Sequence, residues 1–190
     1  MVRVVPSTDI YQLVTRAESC LLVFRLPGFP DKQLTRSSIC RKLRSVESDN
    51  PILIVEDSEH DLFFMRYAFR EAGVKNRVVE LRDGQQAINY LSGKGEFCDR
   101  VRFPLPCLII TDLKMPVVDG FGLLKWLSAQ PDFDRVPKII LSSSGEQVDR
   151  KRAAELGSCA YFVKPGGIKD LVQVVKHLDS TWIAEHCPLK

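Results

Sequence analysis

The chain has 190 residues, 45% hydrophobic and 27% charged, which is the mixture of a soluble globular protein with room for one ordinary domain and an appendage. No apolar run approaches the roughly 18 residues that a membrane helix needs, and the run LLVF at 21–24 is far too short for a signal-peptide core, so a cytoplasmic location is expected. The net charge of +3 lies wholly in residues 1–50, with eight Lys/Arg against five Asp/Glu; residues 51–190 hold nineteen of each and give no basic signature for nucleic acid.

The first fifty residues are broken by Pro6 and by RLPGFP at 25–30. Two stretches, Asp9 to Glu18 and Leu34 to Val46, have a helical look, but Pro and Gly break what lies between them and no clear core is seen. Residues 1–50 are therefore expected to form a flexible or loosely docked extension. From Pro51 the texture changes. PILIV (51–55) reads as a short apolar strand. SEHDLFFMRYAFREAG (58–73) reads as a helix, with Ser58 as N-cap, acids in the first turn and Gly73 just past the end. Its inward stripe is Phe64, Met65, Ala68, Phe69 and Ala72. RVVEL (77–81) is the second strand and GQQAINYLSG (84–93) the second helix. CLIIT (107–111) is a strand apolar on both faces, followed by the helix GFGLLKWLSAQ (120–130). KIILS (138–142) precedes GEQVDRKRAAELG (145–157), and AYFV (160–163) precedes a helix over 168–185.

Five strand–helix alternations, with a central strand apolar on both faces, predict an α/β fold. It should be a doubly wound sheet of five parallel strands with five helices, spanning 51–185 and leaving a tail at 186–190. The six cysteines, Cys20, Cys40, Cys98, Cys107, Cys159 and Cys187, contain no CxxC pair and do not cluster with the three histidines. Free, partly buried thiols are expected, and neither a disulfide framework nor a zinc site.

Sheets of this kind carry their sites at the carboxyl ends of the strands. The first strand ends in Glu56 and Asp57, the third in Asp112, the fourth in Ser142, Ser143 and Ser144, and the fifth in Lys164 and Pro165. A lone acid at a strand end is usually a helix cap or a surface residue, Lys-Pro alone is turn chemistry, and a serine run alone is loop. The combination on one rim is far more specific. Three carboxylates repel one another, so a divalent cation is expected among them, and an all-oxygen ligand set points to Mg²⁺ or Mn²⁺. Such a cation, with Lys164 beside it, would receive a phosphoryl group.

The motifs ILIVEDSEHD, ITDLKMPVVDG, IILSSSG and AYFVKP resemble those of bacterial two-component response-regulator receiver domains, over essentially all of 51–185. The resemblance implies a flavodoxin-like strand order, 2-1-3-4-5, and a role for each rim residue. Asp112 becomes the phosphoacceptor. Glu56 and Asp57 become the acidic pocket, with Asp57 a direct Mg²⁺ ligand, Glu56 acting through water, and the backbone carbonyl of Lys114 a further ligand. Ser142 takes the switch-hydroxyl place, Lys164 the phosphate-pairing place, and Tyr161 that of the aromatic switch. The acid pair here is Glu-Asp where Asp-Asp is usual. The connection GKGEFCDRVRFPLP (93–106), the segment PDFDRVP (131–137) and the closing stretch DSTWIAEHCPL (179–189) are similar to those of small stand-alone, chemotaxis-regulator-like receivers paired with phytochrome-type sensor kinases.

The implied function is that of a switch. Asp112 takes a phosphoryl group from the phosphohistidine of a sensor histidine kinase, possession of which moves Ser142 and Tyr161. The domain assists its own phosphorylation and dephosphorylation, but it is not an enzyme by vocation. With only HCPLK after the fifth helix, a separate downstream protein is expected to read the state. Phe63 and Tyr67, opposite the core stripe of the first helix, are a candidate kinase-docking face, and Trp182 a candidate homodimer contact on the C-terminal face. Two other readings are a DNA-binding regulator with its output in residues 1–50 and a phosphorelay intermediate. A flavodoxin is disfavoured because the acidic EDSEHD loop would repel a flavin phosphate. A haloacid-dehalogenase-type phosphatase would need an acid at position 114, where Lys114 stands.

Overall fold

The computed structural model describes residues 50–187, together with the backbone of two N-terminal strands, Gln12–Arg16 and Ser19–Val23. The chain divides into two units, Met1–Ser48 and Asp49–Lys190. In the first, the two strands pair antiparallel, Gln12 opposite Val23 and Arg16 opposite Ser19. This corrects the helical expectation over 9–18. Leu13, Val14 and Thr15 stand opposite Leu22, Leu21 and Cys20, and runs rich in β-branched and aliphatic residues are better suited to a ladder than to a helix. The helical stretch expected at 34–46 lies outside the described residues, as does most of the segment expected to be flexible.

The second unit is a sheet of five parallel strands: β1 (Ile52–Val55), β2 (Val78–Leu81), β3 (Leu108–Thr111), β4 (Lys138–Ser142) and β5 (Ala160–Val163). Their order is β2-β1-β3-β4-β5. The helices between them are α1 (Glu59–Ala72), α2 (Gly84–Ser92), α3 (Gly120–Ser128), α4 (Gln147–Glu155) and α5 (Ile168–Leu178). The chain of α5 runs on through a π-helical turn, Asp179–Ile183, to His186. Short 3₁₀ turns at Gly95–Cys98 and Pro131–Phe133 interrupt the longer connections.

The two faces of the sheet are covered separately. Ile52, Ile54, Leu108 and Ile110 pack with Leu62, Met65 and Phe69 of α1 and with Leu171, Val175 and Leu178 of α5. Leu53, Val55 and Ile109 pack with Tyr90 and Leu91 of α2 and Leu123 and Leu127 of α3. Adjacent residues of β1 and β3 thus serve opposite layers, which is why both strands are apolar throughout. In α1 the stripe includes the fully buried Leu62, while Phe64 and Ala72 are only partly covered. Ser58 caps α1 by accepting from the Asp61 amide at 3.2 Å, and Gly73 closes it in the left-handed region at φ 80°.

The cysteine expectation is overturned at one pair. Cys107, leading into β3, and Cys187, beyond α5, are joined in a disulfide with a Cα separation of 5.4 Å. Eighty residues separate them in sequence, and only the packing of the α5 end against the start of the central strands brings them together. Cys187 is thereby a buried anchor and not part of a loose tail. Cys98 and Cys159 are free and exposed. Among the described residues no helix is long and apolar enough to cross a membrane.

Candidate functional site

Order reverses in the sheet between β1 and β3, and the loops leaving these two strands open a crevice at their carboxyl ends. Asp112 enters it directly from β3. Its backbone amide still pairs with Val55 of β1 at 3.0 Å, so the carboxylate is aimed by sheet geometry. One oxygen, Oδ1, accepts from the Leu113 amide at 2.6 Å; the other, Oδ2, accepts from Lys164 Nζ at 3.1 Å. Asp112 is only 6% exposed. The loop that follows must fold back tightly to leave it reachable. Gly120 N–H donates to the Leu113 carbonyl at 3.0 Å, and a Cβ at Gly120 would collide with the Asp112 carbonyl oxygen. Asp119 then caps α3 through the Gly122 amide at 2.7 Å. The apolar strand ends on a carboxylate because the strand end is a mouth, and the Asp-Gly pair ends the loop that frames it.

Around Asp112 the other strand ends converge. Glu56 is buried, with Oε1 accepting from the Ser58 amide at 3.2 Å and Oε2 from Lys164 Nζ at 2.6 Å. Asp57 is exposed. Ligand oxygens of Glu56, Asp57 and Asp112 all lie within 4.8 Å of one another. This is a donor set made of hard oxygens alone, close enough to share one small divalent cation. Lys114 is exposed on the loop two residues beyond Asp112.

The charge state of the lysine follows from its contacts. Burial alone would pull the Lys164 ammonium down, but hydrogen bonds to Asp61 and Glu56 and the charge of Asp112 outweigh it and hold it above the ordinary lysine value. Glu56 is raised as well: burial favours its neutral form, and Lys164 only partly offsets that.

Ser142 ends β4 fully buried, and its neighbour across the ladder is Val163, one residue before Lys164. Lys164 N–H donates to the Ser142 carbonyl at 2.8 Å. Tyr161 donates its hydroxyl to the Ser144 carbonyl at 2.8 Å, and burial keeps the phenol protonated to higher pH than usual. Arg150 of α4 lies 4.8 Å over the Tyr161 ring and donates to its carbonyl at 3.3 Å. All seven expected rim residues, Glu56, Asp57, Asp112, Lys114, Ser142, Tyr161 and Lys164, therefore stand at or beside this end of the sheet. Asp61 is a residue that sequence reasoning passed over. Its Oδ2 accepts from Lys164 Nζ at 2.6 Å. Its sequence signal, an acid in the first turn of a helix, is the signal of any favourable helix start.

Residues 52–176 match the family model of the response regulator receiver domain. The chain belongs to this family. It is 33% identical over 141 residues to "Response regulator Rcp1" of Synechocystis sp., covering 73% of this chain and 94% of that one. Its fold is similar to that of the phosphorylated cyanobacterial phytochrome response regulator RcpA, at a TM-score of 0.66 and 30% identity over 72% of this chain and 95% of that one. It is likewise similar to the Mn²⁺-bound form of Rcp1, at a TM-score of 0.64 and 31% identity over 74% of this chain and 99% of that one. The protein is thus a receiver domain of phosphorylation-dependent signalling, from a family of signalling phosphoacceptors that bind a divalent metal ion and work with histidine kinases. The receiver reading of the motifs and the 2-1-3-4-5 order stand, and the reading of the chain as a DNA-binding regulator or a relay intermediate is not favoured.

The two candidate contact faces differ. Phe63 and Tyr67 on α1 are 58% and 36% exposed. Trp182 is half-buried in edge contacts with Phe162 and His177 and packs onto the core.

Proposed function

We propose that the protein is a two-component switch that carries its phosphoryl group on Asp112, and that a phytochrome-type sensor kinase supplies it in the cytosol. The observation that carries this reading is one carboxylate, Asp112, held between a backbone N–H donor, a half-buried lysine and two further acids at the topological switch point of the sheet. Glu56, Asp57, Asp112 and the Lys114 carbonyl would hold Mg²⁺, or Mn²⁺ in its place, which supplies charge neutralisation for the phosphoryl oxygens. Asp112 attacks the phosphorus of a kinase phosphohistidine. The P–N bond breaks with its electron pair passing to the imidazole, and an aspartyl phosphate remains. Lys164 and the Leu113 amide steady the new charge. Ser142 then turns toward a phosphoryl oxygen, and Tyr161 shifts in the space so altered, changing the surface that α4, β5 and α5 share. The kinase is read on α1, where Phe63 and Tyr67 are exposed, and a separate protein reads the outcome. The phytochrome partner rests on the likeness to the cyanobacterial phytochrome response regulator RcpA. A homodimer through the C-terminal face has weaker support, since Trp182 is largely engaged within its own chain.

The test is phosphorylation by acetyl phosphate in the presence and absence of Mg²⁺. The full chain should gain an acid- and base-labile, hydroxylamine-sensitive phosphate only with the metal, and Asp112→Asn should gain none because an amide is a poor nucleophile. A phosphate retained in Asp112→Asn places the acceptor elsewhere.

A further inference from the structure

An ammonium group has three N–H bonds, and Lys164 Nζ has three carboxylate partners on three different elements. Glu56 follows β1, Asp112 ends β3, and Asp61 stands in the first turn of α1, at 2.6, 3.1 and 2.6 Å. The two short contacts go to Glu56 and Asp61; the longer one goes to Asp112. We propose that Asp61 is a positioning residue: with Glu56 it fixes two of the three N–H bonds of Lys164, so that the third is aimed at Asp112 and at a phosphoryl group carried there. This deepens the reading of Asp112 as phosphoacceptor and rests on it.

Two features of the site support the assignment. First, Asp61 is itself fixed. Its amide donates to the Ser58 hydroxyl in the N-cap of α1, so its backbone is held against the same loop that carries Glu56 and Asp57. Second, a lysine has a flexible four-carbon stem and no preferred fork geometry, unlike arginine. A two-point hold would leave its ammonium free to swing about the axis joining the anchors, whereas three partners define one position. On phosphorylation, an Asp112 oxygen forms a bond to phosphorus, the bond from phosphorus to the donor breaks, and the donor leaves with the electron pair. The carboxylate loses its formal charge, and the N–H that faced it passes to a neighbouring phosphoryl oxygen while the contacts to Glu56 and Asp61 persist. The Asp61 side chain is one-third exposed, so replacing it opens no core cavity.

The experiment separates aim from charge in the full chain. Asp61→Asn keeps an acceptor oxygen in place and loses the charge; Asp61→Glu keeps the charge and moves it outward by one methylene. Phosphorylation from acetyl phosphate with Mg²⁺ is followed as a function of donor concentration, with Mg²⁺ affinity and thermal melting measured alongside. Asp61→Glu should lower the maximal rate about tenfold, in line with the cost of misplacing a group near the reacting atoms, while melting and metal affinity change little. Asp61→Asn should recover most of the rate, staying within about threefold of the parent. Equal, parent-like rates in both overturn the proposal, as does a slow Asp61→Asn, alone or alongside a slow Asp61→Glu, because charge and not aim would then matter. Asp112→Asn run in parallel distinguishes a different failure: if it still accepts phosphate, the acceptor assignment falls, and the Asp61 proposal with it.

Discussion

Val117 has a backbone φ of 64° and a side chain that is 81% exposed. It lies in the loop between Asp112 and Gly120 that frames the site. A β-branched residue in the left-handed region crowds its own backbone at a cost of roughly 1–2 kcal/mol, and nothing is recovered by burying this side chain. Asparagine tolerates that conformation and, unlike glycine, adds little freedom to the unfolded chain. Val117→Asn should therefore stabilise the domain by about 1 kcal/mol, or roughly 3 °C in the thermal midpoint; a lowered midpoint would show that the loop needs valine for another reason. At this scale the sequence was informative where a side chain ends a strand. Glu56, Asp57, Asp112, Ser142 and Lys164 could each be placed by counting from an apolar run. Asp61 could not, because an acid in a first helical turn has an ordinary explanation, and only the reach of Lys164 across from β5 shows its second contact. Val117 was equally illegible, since the strain is imposed by the loop that Gly120 closes.

At the scale of elements, the connection between α2 and β3 is held by side chains and not by regular structure. Arg100 donates to the Tyr90 and Leu91 carbonyls at the end of α2, both at 2.7 Å, and the Tyr90 hydroxyl donates to the Pro104 carbonyl at 2.7 Å. Burial raises the Tyr90 phenol above its ordinary value of 10.0. The sign follows directly: below that value both folded and unfolded chains keep the proton, whereas above it the unfolded chain ionises first and the fold loses stability. Tyr90→Phe should cost about 1 kcal/mol at neutral pH for the lost hydrogen bond, and its stability should fall less steeply than the parent's as the pH rises past 10. Parallel alkaline limbs in urea titrations of the two proteins would remove Tyr90 as the titrating group.

The disulfide belongs to the same scale. Periodicity, caps and breakers made the five strands and five helices of the receiver legible within a few residues, because each of these signals is local. The pairing of Cys107 with Cys187 is not local; it depends on α5 and its π-helical extension running back along the sheet, where Asn76 also donates to the Cys187 carbonyl at 2.9 Å. Closing a loop of this length restrains the unfolded chain, with a typical effect of about 2–4 kcal/mol. Cys187→Ser should melt at a lower temperature than the oxidised parent, and dithiothreitol should bring the parent down to the variant while leaving the variant unmoved. A parent indifferent to dithiothreitol would mean the bond contributes nothing to stability. The N-terminal hairpin shows the opposite error: Asp9 to Glu18 has a weak helical period, and pairing with Ser19–Val23, which no single-stretch reading includes, decides for strand.

At the scale of the chain, every group that meets Lys164 or Asp112 among the described residues belongs to the second unit, and the receiver match begins at residue 52. Among the described residues, both faces of the sheet are covered by α1 to α5 of that same unit. A shortened chain beginning at Ser48 should then melt cooperatively and accept phosphate from acetyl phosphate within about twofold of the full-length rate, since neither the reacting atoms nor the side chains that position them have been touched. Placing the cut at Ser48 keeps Asn50 and Pro51, whose carbonyl receives the Cys107 amide at 3.0 Å and so pins the entry to β1 against β3. A shortened chain that is insoluble, or that melts without a cooperative transition, would mean that residues 1–47 complete the core. One that folds and binds Mg²⁺ but reacts slowly would mean that they complete the site. Parent-like reactivity combined with loss of phosphotransfer from a cognate kinase would assign those residues to partner recognition while leaving the chemistry where Asp112 places it.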